Sequence, residues 1–178
     1  MAKRDNLAGE DKACALWDFA LRFYGAPGVQ GACLAMQEEG GADVPLLIFL
    51  VFAAMRGQPI REEELRRIDG TISPWRRDVV RHLRHARRAL RSSPAPEAQD
   101  LRETIKAAEL EAERQQLAML SDFLDDAVSP DRSGAGSLDI MSNVRASLAA
   151  YAALLPSLDG PHLAGFIERT TEFSRQER

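Results

Sequence analysis

Residues 44–55, Val-Pro-Leu-Leu-Ile-Phe-Leu-Val-Phe-Ala-Ala-Met, form twelve consecutive positions without a polar side chain. No amphipathic stripe can be drawn on such a segment, so as a helix it must be enclosed by other elements on every side. At about 1.5 Å per residue it spans about 18 Å, well short of the about 30 Å hydrocarbon layer of a bilayer. Asp43 is placed to cap its start, Pro45 sits where a missing N–H costs nothing, and Gly57 can close its end. Ala53, Ala54 and Met55 favour helix over strand, and no alternating partner run lies nearby. A chain of 178 residues is long enough for one sizeable core. The expected architecture is all-α: a single-domain helical bundle of about seven or eight helices around this buried segment.

Amphipathic helices are expected on both sides of it. Residues 1–10 read as a loose polar N-terminal segment and 11–128 as the helical core domain. Within the core, Leu16, Trp17, Phe19, Ala20, Leu21, Phe23 and Tyr24 give a broad buried face, with Asp18 and Arg22 as an exposed i,i+4 pair. Val29, Ala32, Cys33 and Met36 recur at helical spacing before Gly40-Gly41. Ile60, Leu65 and Ile68 suit a short helix ending near Gly70. Ser73-Pro74 reads as a fresh start for a helix running to Arg91. After Ser92-Ser93-Pro94-Ala95-Pro96, a long helix from 97 to 128 completes an antiparallel hairpin. Its expected core stripe is Leu101, Ile105, Ala108, Ala112, Met119 and Phe123, widened by Leu117, Leu120 and Leu124, and at some 30 residues it is expected to overhang the domain. Residues 129–137 read as a flexible linker, and 138–178 as C-terminal helices packing on the core or on a partner.

The hairpin is the most charged part of the chain. Its first arm carries seven arginines against Asp78, and its second carries nine acids against three bases. Val79, Leu83, Ala86 and Leu90 form the apolar side of the first arm, which turns Arg77, Arg81, Arg84 and Arg88 towards solvent as a candidate anion- or partner-binding stripe. Counting back from the loop sets Arg76 level with Ala112. A structural ion pair of Arg76 with Glu109 or Glu113 is therefore expected to fix the hairpin register. A candidate pocket between the first, second and Arg-rich helices is walled by Trp17, Tyr24 and Trp75, with Arg76 or His82 facing an anionic group.

Other signals are weak. His82 and His85 are spaced for a helix-surface metal, but no carboxylate or cysteine matches them on that helix, and the surrounding arginines oppose a cation. His162 has no companion. Cys14 and Cys33 sit in apolar helical patterns and read as buried small hydrophobes in a reducing cytosol. Asp125-Asp126 point about 100° apart and do not converge on a metal. Glycine-rich phosphate loops, nucleophile elbows and zinc-protease motifs are absent from the sequence. Neither a secretory signal nor an apolar run of membrane-spanning length is present. The net charge of −4 points globally to neither a polyanion nor a polycation partner. No catalytic residue, cofactor or metal is expected.

Several stretches together resemble a known pattern: Leu16-Trp17-Asp18-Phe19-Ala20-Leu21 through Tyr24, Pro27-Gly28-Val29, and Ala32-Cys33-Leu34 with Gln37. The run Gly41-Ala42-Asp43-Val44-Pro45-Leu46-Leu47, Trp75-Arg76, and Glu109-Leu110-Glu111-Ala112-Glu113-Arg114 complete it. Over about residues 14–120 the chain resembles the bacterial domain-of-unknown-function family 2390. The resemblance implies a small bacterial cytosolic helical protein and brings no activity with it. The reading that follows is a non-enzymatic protein–protein interaction module, with a protein partner or self-association. A small-ligand binder or enzyme using the candidate pocket is the runner-up. Nucleic-acid binding through the Arg77/Arg81/Arg84/Arg88 stripe comes last, for want of interleaved aromatic side chains.

Overall fold

The computed structural model describes residues 2–92, 95, 97–124, 137–155, 157–158 and 160–177, the side chains of 2–10 and 137–139 excepted. The chain is all-α. Its helices are α1 (Ala2–Gly25), α2 (Val29–Glu38), α3 (Val44–Met55), α4 (Glu62–Trp75), α5 (Arg81–Ala89), α6 (Ala98–Ser121), α7 (Ser137–Leu154) and α8 (Gly160–Gln176). No strand occurs among the described residues. The expected linker 129–137 lies almost wholly outside the described residues, and Asp125-Asp126 wholly so.

All twelve residues of α3 are buried, as its composition demands. α1, α6 and α7 pack along it, and Met141, Val144, Leu148 and Tyr151 of α7 belong to the same core as Leu46, Phe49 and Leu50. α8 closes the bundle through aromatic contacts. Phe23 of α1 meets Phe166 and Phe173 edge-on, with ring centroids 5.9 and 5.1 Å apart. Such pairs contribute beyond their buried area. Residues of both α7 and α8 thus contribute to the core. The Tyr151 hydroxyl accepts the Asp43 N–H at 2.8 Å, and Ser147 Oγ accepts the Ile60 N–H at 3.0 Å, so α7 satisfies backbone donors on both sides of α3.

Local signals mislead at three places. Residues 2–10 are helical, because α1 starts at Ala2 and passes through Gly9. Gly70 and Ser73-Pro74 do not separate two helices: α4 runs through both, and a π-helical turn over Arg76–Val80 joins it to α5. Leu65, Ile68 and Ile72 are fully buried at i, i+3 and i+7, so tertiary burial carries the helix across the breakers. The carbonyl that Pro74 leaves without its helical donor is that of Gly70, and Ser73 Oγ donates to it at 3.5 Å. In the π turn the Arg81 N–H reaches back five residues to the Arg76 carbonyl. That insertion rotates α5 relative to α4.

α6 ends at Ser121, so it is 24 residues, about 36 Å, rather than about 30 residues. Its buried stripe is Glu109, Ala112, Gln116, Leu117 and Leu120, while Leu101 and Ala108 face solvent. Cys14 is exposed rather than buried, and Cys33 is buried, which pushes its thiol up to about 12. Arg22 meets Glu177 at 3.5 Å, not Asp18.

The turn after α2 tests the packing directly. A Cβ added at Gly40 would lie 2.5 Å from Leu158 Cδ1 and 2.8 Å from the Met36 carbonyl oxygen. Backbone cannot retreat as a side-chain tip can. Gly40→Ala is expected to destabilise the fold by about 1–3 kcal/mol, read from urea denaturation. An unchanged midpoint would mean that Leu158 yields freely to the turn after α2.

Candidate functional site

Asp43 occupies the N-cap position of α3 with extended backbone, but its side chain does not cap the helix. The carboxylate turns inward, 6 % exposed, and Oδ2 accepts from Gln116 Nε2 at 2.5 Å and from Arg76 Nη1 at 3.2 Å. Arg76 also donates to Asp69 Oδ1 at 2.8 Å, seven residues back on its own helical face. Burial pushes the Asp43 carboxyl above its ordinary value, opposed by Arg76 and by the Gln116 hydrogen bond. The Gln116 carbonyl Oε1 is buried and has no partner among the described residues.

A second buried cluster clamps α5 to α6. Arg84 donates to Glu109 at 2.9 Å and to Glu113 at 2.6 Å, and Arg87 donates to both oxygens of Glu109. Burial alone would push Glu109 up, but the Arg87 and Arg84 hydrogen bonds outweigh it and hold the carboxyl below its ordinary value. Burial keeps Glu113 above its ordinary value, offset in part by Arg84 and reinforced by the charge of Glu109.

These pairs correct the expected register device. Glu109 and Glu113 are indeed held by arginine, but by Arg84 and Arg87. Arg76 faces away, towards Asp43 and Asp69. Residue 75 is the one that lies beside Ala112, through a 2.9 Å hydrogen bond from Trp75 Nε1 to its carbonyl. Arg76 lies about 100° further round the helix and so looks at the start of α3. The expected solvent stripe is corrected too. Arg84 is mostly buried in its clamp, Arg77 pairs with Asp78 at 2.7 Å, and Arg88 pairs with Glu38 at 3.2 Å. Arg81 is exposed and has no hydrogen-bond or ion-pair partner among the described residues.

The Arg84 wall separates two clefts. The first, about 410 Å³, opens between α1, α2 and α6, with Trp17, Leu21 and Tyr24 from α1, Leu34 from α2 and Leu110 from α6 among its lining. Burial raises the Tyr24 hydroxyl pKa, and a hydrogen bond with Gln30 opposes the shift. Four basic side chains, Arg84, Arg87, Arg102 and Lys106, meet Glu109 and Glu113 at this cleft, a net lining charge of +2. Arg102 Nε is buried there without a partner among the described residues. The second cleft, about 390 Å³, lies between the α2–α3 turn and α5, and its lining includes Asp43, Arg76, Arg81, His85 and Arg88.

Of the residues expected to share one pocket, Trp17 and Tyr24 share the first cleft. Arg76 lines the second. Trp75 and His82 line neither: Trp75 is tied to Ala112, and His82 is exposed with Nδ1 3.1 Å from the Arg77 carbonyl. Sequence reasoning missed Asp43, Asp69 and Gln116. The i,i+7 spacing of Asp69 and Arg76, and the run 109, 112, 116, 120 at core spacing, were the available signals.

Among the described residues, no group of three or more His, Cys, Asp or Glu is placed to hold a metal, and no helix is long and apolar enough to cross a membrane. The fold and clefts thus define an all-α protein with two adjoining surface clefts that share an arginine wall. Residues 15–120 match the family described as Protein of unknown function (DUF2390), and the chain belongs to that family. Both clefts are lined entirely from within the matched stretch. No curated protein and no solved structure matches the chain.

Proposed function

We propose that this chain is a non-enzymatic interaction module, and that its first cleft is a docking groove for an apolar, acid-flanked helix of a protein partner. One observation carries the reading. The large apolar side chains exposed among the described residues are Leu21, Leu34, Leu101 and Leu110, and all but Leu101 converge on this cleft from three different helices. An exposed leucine alone means nothing, but three around one concave, aromatic-walled surface are the anchors that helix-in-groove recognition uses. The net positive lining and the buried, unpartnered Arg102 Nε favour acidic residues flanking the partner's apolar face.

A second reading has support of its own. A volume of about 410 Å³ with Trp17 and Tyr24 in one wall also suits a small amphipathic anion. Nucleic-acid binding through Arg77, Arg81, Arg84 and Arg88 is weakened because three of these four arginines are already paired with carboxylates.

A photo-crosslinking amino acid at Leu34 (Leu34→p-benzoylphenylalanine) tests the groove in extract of the source cells. One protein adduct is expected. Leu21→Asp/Leu110→Asp, which changes the other two sides of the cleft, is expected to cut its yield about tenfold. Adducts spread over abundant proteins, or untouched by the double variant, would sink the docking reading. A small molecule that competes the adduct away and copurifies with the chain would shift the conclusion to the second reading.

A further inference from the structure

The geometry points to the second cleft as an oxyanion site for a diphosphate ester, with Arg81 and Arg88 as its principal ligands. Four guanidinium groups, those of Arg76, Arg81, Arg84 and Arg88, face this cavity against the carboxylates of Asp43 and Glu38, a net lining charge of +2 in a chain of net charge −4. The charges are unequally committed. Asp43 is satisfied by Arg76 and Gln116, and Arg84 is held by Glu109 and Glu113. Glu38 pairs with Arg88 only at the surface, where both side chains are more than half exposed, so an incoming anion displaces that pair at little cost. Arg81 and His85 have no hydrogen-bond or ion-pair partner among the described residues. Two guanidinium forks and an imidazole thus stand ready at a cavity whose buried charges, Asp43, Arg76 and Arg84, are already held by partners.

Phosphate oxygens match the planar donor fork of arginine in a way that compact cations do not. Arg81 and Arg88 are seven residues apart on α5, two helical turns or about 10.5 Å along the axis. Two linked phosphates bridge that spacing better than one. The concavity also separates this site from an open basic stripe: Arg77, paired with Asp78, is not among its lining residues. The site does not rest on the docking groove, with which it shares Gln37 and Arg84 of its lining.

Titration of the full chain with inorganic pyrophosphate, followed by calorimetry and by the arginine Nε–H resonances, tests the site. Saturable one-site binding is expected, tighter than for orthophosphate. Arg81→Gln and Arg88→Gln are each expected to weaken it about tenfold, whereas Arg77→Gln leaves it unchanged. All three positions are exposed, and an unchanged melting temperature shows that each variant folds. Absence of saturation at millimolar pyrophosphate overturns the site. So does an equal loss in Arg77→Gln, which would make the arginines a diffuse stripe. Binding of a DNA duplex that pyrophosphate does not compete away would likewise assign them to nucleic acid.

Discussion

Arg76→Ala is expected to destabilise the protein by about 3–5 kcal/mol, because it leaves the Asp43 carboxylate buried without its cation. Asp43 is 6 % exposed, and Gln116 would be its one remaining side-chain donor among the described residues. The pH dependence gives the cause a signature. Burial already holds the Asp43 carboxyl above its ordinary value in the folded state, with Arg76 the first influence opposing that rise. A group with a raised folded pKa contributes stability that is fully present below its unfolded pKa and is lost as pH rises through the folded one. Removing Arg76 raises the folded pKa further and widens that window upward. The deficit of the variant relative to the parent chain is therefore expected to shrink as pH falls from about 8 towards about 4. Arg76→Ala/Asp43→Asn, which removes the charge but keeps an acceptor for Gln116, is expected to recover more than half of the loss. Urea denaturation across that pH range is the measurement. A deficit that is flat with pH, or a double variant no better than the single, would show that Arg76 acts through packing and not through Asp43.

The second large effect belongs to α3. Phe49 is completely buried in a helix enclosed on every side, so its truncation has no solvent-facing direction in which to relax. Phe49→Ala is expected to cost about 3–5 kcal/mol and to lower the melting temperature by on the order of 10 °C. Leu101→Ala, at a half-exposed leucine of α6, serves as the contrast and is expected to change little. Calorimetric scans of the two variants decide the matter. Equal shifts would mean that α3 is no more deeply embedded than the α6 surface.

The fate of particular residues shows what a sequence exposes and what it hides. The 44–55 run declares its burial by composition alone, because no arrangement in water can accommodate it. The breakers at Gly70 and Pro74 were misleading because their cost is local, whereas the burial of Leu65, Ile68 and Ile72 is collective and exceeds it. Residue type found Ala112, Leu117 and Leu120 of the α6 stripe but set exposed Leu101 and Ala108 beside them and left out Glu109 and Gln116. Glu109 and Gln116 are buried only because Arg84, Arg87 and Asp43 meet them, and those meetings join residues that are distant in sequence. The same limit governs the site. Trp17 and Tyr24 lie two turns apart on one helix, so their sharing a cleft was legible. Whether Arg76 turns towards α6 or α3 depends on about 100° of rotation, which no count of residues supplies.

Tyr151 reaches across from α7 to hold the amide of Asp43, while Ser147 holds that of Ile60. The family match ends at residue 120, before either of these residues. The boundary of the shared pattern is therefore not the boundary of a self-sufficient unit. A fragment trimmed to the match would expose one flank of its most apolar helix and leave the Asp43 and Ile60 amides, one on either side of it, without their acceptors. In this chain α7 meets both obligations at once: an apolar cover for that flank, and an oxygen presented at each end.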